Sequence, residues 1–167
     1  MTIENGAVFE LSDGVCDMRF ERHFAHPVER VWAALTEPDQ LKSWFAEFQG
    51  SIAPGSNVKL TWTGGETRDS TVTEFDPPRV FAWTWNKEST VRWELTPEPS
   101  GTLFVLTHNL PNASTDELTN TLGGWQEHLA VLADQLNGAP RAWSAERWRD
   151  FKNQYAALID ARQVARA

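Results

Sequence analysis

Cysteine is nearly absent: Cys16 is the single one, so no internal disulfide and no cysteine-based metal site can form, and a reducing cytoplasm is the expected compartment. Long apolar runs are missing too. No segment approaches the ~20 apolar residues that span a bilayer, and the N-terminal stretch MTIENGAVFELSDG lacks the basic region and apolar run of an export signal. The basic residues form no run that could track a phosphate backbone, and the formal charge of -8 is spread without an acidic tail, so neither nucleic acid nor a membrane is an expected partner. Phosphate-cradling glycine loops, GxSxG elbows, HExxH pairs and closely spaced carboxylate pairs are likewise missing. No cofactor and no metal are expected, though acid–base chemistry inside a cavity needs no local motif.

What the chain does have is tryptophan. Nine Trp and nine Phe stand against one Tyr, a supply of flat apolar surface in which every indole also brings an N–H that wants an acceptor when buried. Such rings either fill a core or line a cavity. At 167 residues the chain fits one domain with a short appendage, large enough to bury roughly two-thirds of its unfolded surface.

Residues 7–12 and 15–25 flank the turn-forming Ser12-Asp13-Gly14 and read as a hairpin. From Pro27, the positions Val28, Val31, Trp32 and Leu35 follow helical spacing; Thr36-Glu37-Pro38 stops and restarts the pattern, and Leu41, Trp44 and Phe45 continue it in a second short helix. Between residues 56 and 109 the period becomes two: Val58, Leu60 and Trp62; Phe81, Trp83 and Trp85; Val91, Trp93 and Leu95; Phe104, Leu106 and His108. The short breaks between these runs predict an antiparallel meander with one buried, aromatic face. After Ser114, with Glu117 three residues on, Leu118, Leu122, Trp125, Leu129, Leu132 and Leu136 mark a long amphipathic helix that stops at Asn137-Gly138. A last stripe, Trp148, Phe151, Tyr155, Leu158 and Ile159, predicts a terminal helix that docks on its own domain or on a partner. Strands segregated from helices argue for an α+β fold.

This order, and the residues at its joints, resemble the SRPBCC (START-like) superfamily, and within it the group named after the activator of heat shock protein 90 ATPase. The resemblance rests on RFERHFAHPVERVWAALTEPDQLKSWF at residues 19–45, EFDPPRVFAWTW at 74–85, VRWELTPEPSGTLFVLTH at 91–108 and GGWQEHLAVLADQLNG at 123–138. It implies a helix-grip fold: a curved antiparallel sheet around a long C-terminal helix, with two short helices after the first strands. Residues 1–138 would form that domain, and 139–167 a helical extension beyond the resemblance. Members of the superfamily include lipid carriers, hormone receptors, polyketide cyclases and chaperone regulators, so the scaffold alone does not choose among functions.

The resemblance also implies an internal cavity. Its candidate walls are Trp44, Trp62, Trp83, Trp85, Trp93 and Trp125, with Glu74, His108 and His128 as polar contacts. His108 shares strand parity with Phe104 and Leu106 and should face inward; it is either a ligand contact or a satisfied core histidine, and with His128 it has no metal-site spacing. Glu74 shares parity with Val72, which would point its carboxylate inward; the alternative is an ion pair with Arg68, Arg79 or Arg92. Gly123 and Gly124 weaken a helix by up to ~1 kcal/mol each relative to Ala, which suggests close backbone packing against the sheet or a gap for a ligand. The expected function is non-catalytic binding of a small apolar or aromatic molecule by a monomer or weak homodimer. The rival expectations are a chaperone ATPase co-regulator and a cyclase-like enzyme using Glu74 with His108.

Overall fold

A computed structural model describes residues 3–12 and 14–166; Asp13, in the first expected turn, lies outside the described residues. Strands β1 (Val8–Ser12) and β2 (Val15–Phe24) form the N-terminal hairpin, followed by helices α1 (Val28–Thr36) and α2 (Pro38–Trp44). Then come β3 (Glu47–Gln49), β4 (Asn57–Thr61), β5 (Thr67–Asp76), β6 (Val80–Thr84), β7 (Thr90–Glu98) and β8 (Gly101–Pro111), the long helix α3 (Thr115–Leu136) and the terminal helix α4 (Ala145–Arg166). The strands form one antiparallel sheet in the order β1-β2-β8-β7-β6-β5-β4-β3. The short strand β3 carries no alternation strong enough to announce itself in the sequence.

Alternation is cleanest in β8, where Thr102, Phe104, Leu106, His108 and Leu110 are all buried and their neighbours are partly exposed. Across the ladder, Trp93 pairs with Leu106, Leu95 with Phe104 and Phe81 with Trp93, so the apolar parity of each strand falls on a single concave face. Helix α3 lays Leu118, Leu122, Trp125, Leu129, Leu132 and Leu136 toward this face, each no more than 6% exposed. Ser114 caps the helix, its Oγ accepting from the Glu117 N–H at 3.2 Å. The indole of Trp44 donates to the Ala34 carbonyl at 2.8 Å, fixing α2 against α1 and closing one end of the grip. This is the α+β helix-grip arrangement expected from the sequence.

Helix α4 packs along the side of α3 that faces away from the sheet. Tyr155, Leu158 and Ile159 are buried there, while Trp148 and Phe151 remain partly exposed. The Tyr155 hydroxyl donates to Gln126 Oε1 and accepts from the Ala7 N–H, both at 2.8 Å, so one side chain ties α4 to α3 and to the chain entering β1. Glu127 of α3, fully buried, accepts from Arg141 Nη1 at 2.6 Å, the Ser144 N–H at 3.1 Å and Arg147 Nε at 3.0 Å. Two cations and a main-chain donor compensate the charge's loss of water.

The glycine pair corrects one expectation. Gly123 meets α4 rather than the sheet: a Cβ there would sit 2.9 Å from the Lys152 nitrogen and 3.1 Å from the Trp148 carbonyl oxygen, both main chain. At Gly124 nothing lies within 4 Å. Opposite signs follow. Gly123→Ala should cost about 1–3 kcal/mol by prying α4 from α3, and Gly124→Ala should gain about 0.5–1 kcal/mol of helix propensity. Urea midpoints at unchanged m-value check both; equal effects would contradict the packing.

Candidate functional site

Aromatic side chains dominate the concave face. Trp44, Trp83 and Trp93 are at most 1% exposed and Trp125 is 2% exposed. Trp83 and Trp93 meet edge to face at 4.4 Å between centroids, and Trp44 lies 5.2 Å from Trp93. Phe45, at the end of α2, is the hub: it stacks on Trp125 at 5.0 Å and also contacts Trp62, Trp83, Trp93 and His128. The sequence reading placed Phe45 on the stripe of the second helix without naming it for the site; its position at the helix end, beside Trp44, is what turns it into the sheet. Trp62 and Trp85 follow β4 and β6 and are partly exposed, 5.8 Å apart at the rim.

Two donors in this cluster stand alone. The indole N–H groups of Trp83 and Trp93 are buried and find no acceptor among the described residues. Leaving a buried donor unsatisfied costs about 1–3 kcal/mol, and an N–H aimed at a neighbouring ring recovers only part of that.

His108 has its hydrogen bonds filled. The Trp125 indole N–H donates to its Nδ1 at 2.9 Å, so the ring proton must sit on Nε2, which donates to Ser89 Oγ at 3.0 Å; Ser89 in turn donates to the Asn109 carbonyl at 2.5 Å. Burial, and then the positive charge of Arg68, push its pKa down to about 3, so the imidazole is neutral at physiological pH. His128 donates from Nδ1 to the Trp44 carbonyl at 2.8 Å, and burial lowers its pKa to about 4. Trp125 lies between the two histidines, 6.1 and 6.2 Å from their ring centroids, and joins them to one aromatic wall. Burial raises the Cys16 thiol to about 11, which removes it as a nucleophile.

Glu74 departs from the parity reading. Val72 pairs with Trp83 and Glu74 with Ala82, two residues on β5 against one on β6, so a bulge at Thr73 turns Glu74 to the outer face. There it accepts from Arg92 Nε at 3.0 Å. Glu74 and His108 are on opposite faces of the sheet, which rules out the acid–base pair expected of these two residues.

An opening in the sheet wall was not foreseen. Strand β5 pairs with β4 over Thr67–Thr71 and with β6 from Val72 onward, so below Val72 the β5 and β6 chains diverge. Side chains span the gap: Arg68 Nη1 donates to the Trp85 carbonyl at 2.8 Å, and the Thr71 N–H donates to Thr84 Oγ1 at 3.0 Å. A cleft of about 790 Å³ opens here, lined by Lys59, Arg68, Ser70, Thr84, Trp85 and Lys87 among others. Arg68 and Ser70 pair opposite Leu60 and Val58, both core residues, and so share the inward parity of Val72. That parity was available in the sequence; it was overlooked because both residues are polar.

Among the described residues no three His, Cys, Asp or Glu side chains gather as a metal site, and no helix is long and apolar enough to cross a membrane.

The family described as Activator of Hsp90 ATPase homolog 1-like protein matches residues 25–137. Among solved structures, the conserved protein of unknown function EF2215 from Enterococcus faecalis superposes with a TM-score of 0.79 at 20% identity, over 93% of this chain and 91% of that one, a likeness of fold. CalU16 from Micromonospora echinospora is 25% identical over 92% of this chain and 94% of its own, with a TM-score of 0.71. The protein encoded by gene BPP1335 from Bordetella parapertussis is 29% identical over 90% and 88%, with a TM-score of 0.70. No curated protein matches the chain.

Proposed function

We propose that this chain, which belongs to the Activator of Hsp90 ATPase homolog 1-like family, binds a small apolar or aromatic molecule against the concave face of its sheet. The observation that carries this reading is the pair of unpartnered indole N–H groups of Trp83 and Trp93. In a core that served packing alone, phenylalanine would supply the same kind of surface without two buried donors. A ligand carbonyl or ether oxygen reaching them would recover the missing hydrogen bonds, while flat rings supply the apolar contact that such sites use. The cleft between β5 and β6 is the access route, because there the main-chain ladder is open and partly exposed Trp85 leads inward to His108 and Trp125.

Binding without chemistry fits the polar groups better than catalysis. His108 is neutral, with both ring nitrogens engaged, and Glu74 is on the other face. The test is intrinsic fluorescence during titration with flavonoids, polyketide-like aromatics and fatty acids. Saturable quenching or a shift in emission is expected with at least one aromatic class; unchanged emission up to the solubility limit with all of them would contradict the reading.

A further inference from the structure

We propose that the cleft between β5 and β6 takes the carboxylate of a planar organic acid, held by Arg68 and Ser70 with the acid's ring directed toward Trp85. This rests on the aromatic-ligand reading above and specifies the charge of that ligand.

Two inward-facing donors on β5 are unfilled. Ser70 is 5% exposed, and its Oγ has no partner among the described residues; the same holds for the buried Nε of Arg68, two residues away on the same face. Both line the cleft. A buried hydroxyl and a guanidinium N–H on one face of the same strand offer donors to the oxygens of a carboxylate, and charge-assisted hydrogen bonds of this kind are about twice as strong as neutral ones.

Charge points the same way. Arg92, Arg141 and Arg147 each hold a carboxylate in an ion pair, whereas Arg68 has no such partner among the described residues; Glu117 and Glu66 act on it from beyond contact distance. Lys59 and Lys87 stand at the same cleft against Asp69 alone, a locally positive mouth on a chain of net charge -8. With acidic groups near as well, a monoanion suits the cleft better than a dianion. The Arg68 guanidinium lies 4.4 Å from the Trp85 ring centroid, so an anion bound to it is carried to the edge of the aromatic wall.

The probe pair is 2-naphthoate and 2-naphthamide, similar in shape and different in charge, measured by isothermal titration calorimetry. The wild-type chain should bind naphthoate about tenfold tighter than naphthamide or better, with the preference shrinking as salt rises. In Arg68→Met the preference should vanish while naphthamide affinity stays the same; Ser70→Ala should weaken naphthoate severalfold. Equal affinities in the wild type, or a preference that survives Arg68→Met, would overturn the carboxylate assignment and leave the aromatic reading standing. Binding of neither compound would overturn the carboxylate assignment, and the fluorescence titration then decides the aromatic reading separately. If Arg68→Met fails to fold, the Arg68 Nε–H resonance of the wild type decides: it must move with naphthoate and stay with naphthamide, and any other pattern overturns the assignment.

Discussion

Between pH 7 and pH 4.5 the folded state should lose on the order of 2–3 kcal/mol through His108 alone. Its folded pKa of about 3 lies below the ordinary 6.5, so below pH 6.5 the unfolded chain takes up a proton that the folded chain refuses. Stability is therefore full above pH 6.5 and is lost as pH falls toward 3. The cause is structural. Nδ1 already accepts from Trp125, so protonation would break that bond and place a second cation near Arg68 in a dry site. His128, with a pKa of about 4 and a similar environment, adds to the loss over the same range. Urea midpoints at the two pH values, compared with those of His108→Gln, isolate the contribution: the variant should be less stable at pH 7 and lose markedly less on acidification. Parallel losses would show that carboxylate pairs, which titrate in both proteins, account for the whole effect.

Truncation after Gly138 should lower the melting temperature by about 10–20 °C or leave the protein insoluble. Tyr155, Leu158 and Ile159 are each no more than 8% exposed, and burial of such side chains contributes about 1.5–3 kcal/mol apiece, on the order of 5 kcal/mol together. A chain of this size loses about 2–4 °C per kcal/mol. The truncation also removes Arg141, Ser144 and Arg147 from the Glu127 carboxylate and the Tyr155 bond to Ala7, so the loss extends to the first hairpin. Should the short form not express, Ile159→Ser in the full chain should cost about 2–4 kcal/mol. A truncated protein that melts unchanged would make the terminal helix a dispensable appendage.

Much of this architecture was readable because the sheet has one dry face. Along β7 and β8 buried and less buried positions alternate, and the parity that carries Trp93 inward also carries Leu106 and His108. Alternation failed at Glu74, where a single bulged residue, Thr73, reverses the face of everything beyond it. No side-chain pattern encodes an extra main-chain residue. The opening between β5 and β6 was hidden for a related reason: a strand that exchanges one partner for another keeps its own periodicity, so Arg68 to Val72 gives no sign that β6 has turned away. Gly123 showed that a close approach was needed but not to what, since the main chain it accommodates, at Trp148 and Lys152, lies on α4. Within the candidate site the rings were legible and their satisfaction was not. His108 was placed on the correct face, but the Trp125–His108–Ser89–Asn109 chain joins a helix, a strand and a loop, which only the tertiary fold brings together.

The claim that the unpaired indoles of Trp83 and Trp93 are ligand contacts is tested most directly by following the tryptophan Nε1–H resonances of the labelled protein during titration with 2-naphthamide. Its amide oxygen offers an acceptor without charge, which keeps the result independent of Arg68. Saturable downfield movement of the Trp83 and Trp93 signals, larger than that of Trp44, whose N–H is already bonded to Ala34, is the predicted result. Binding that moves only partly exposed Trp62 and Trp85, or leaves every indole signal in place, would contradict it.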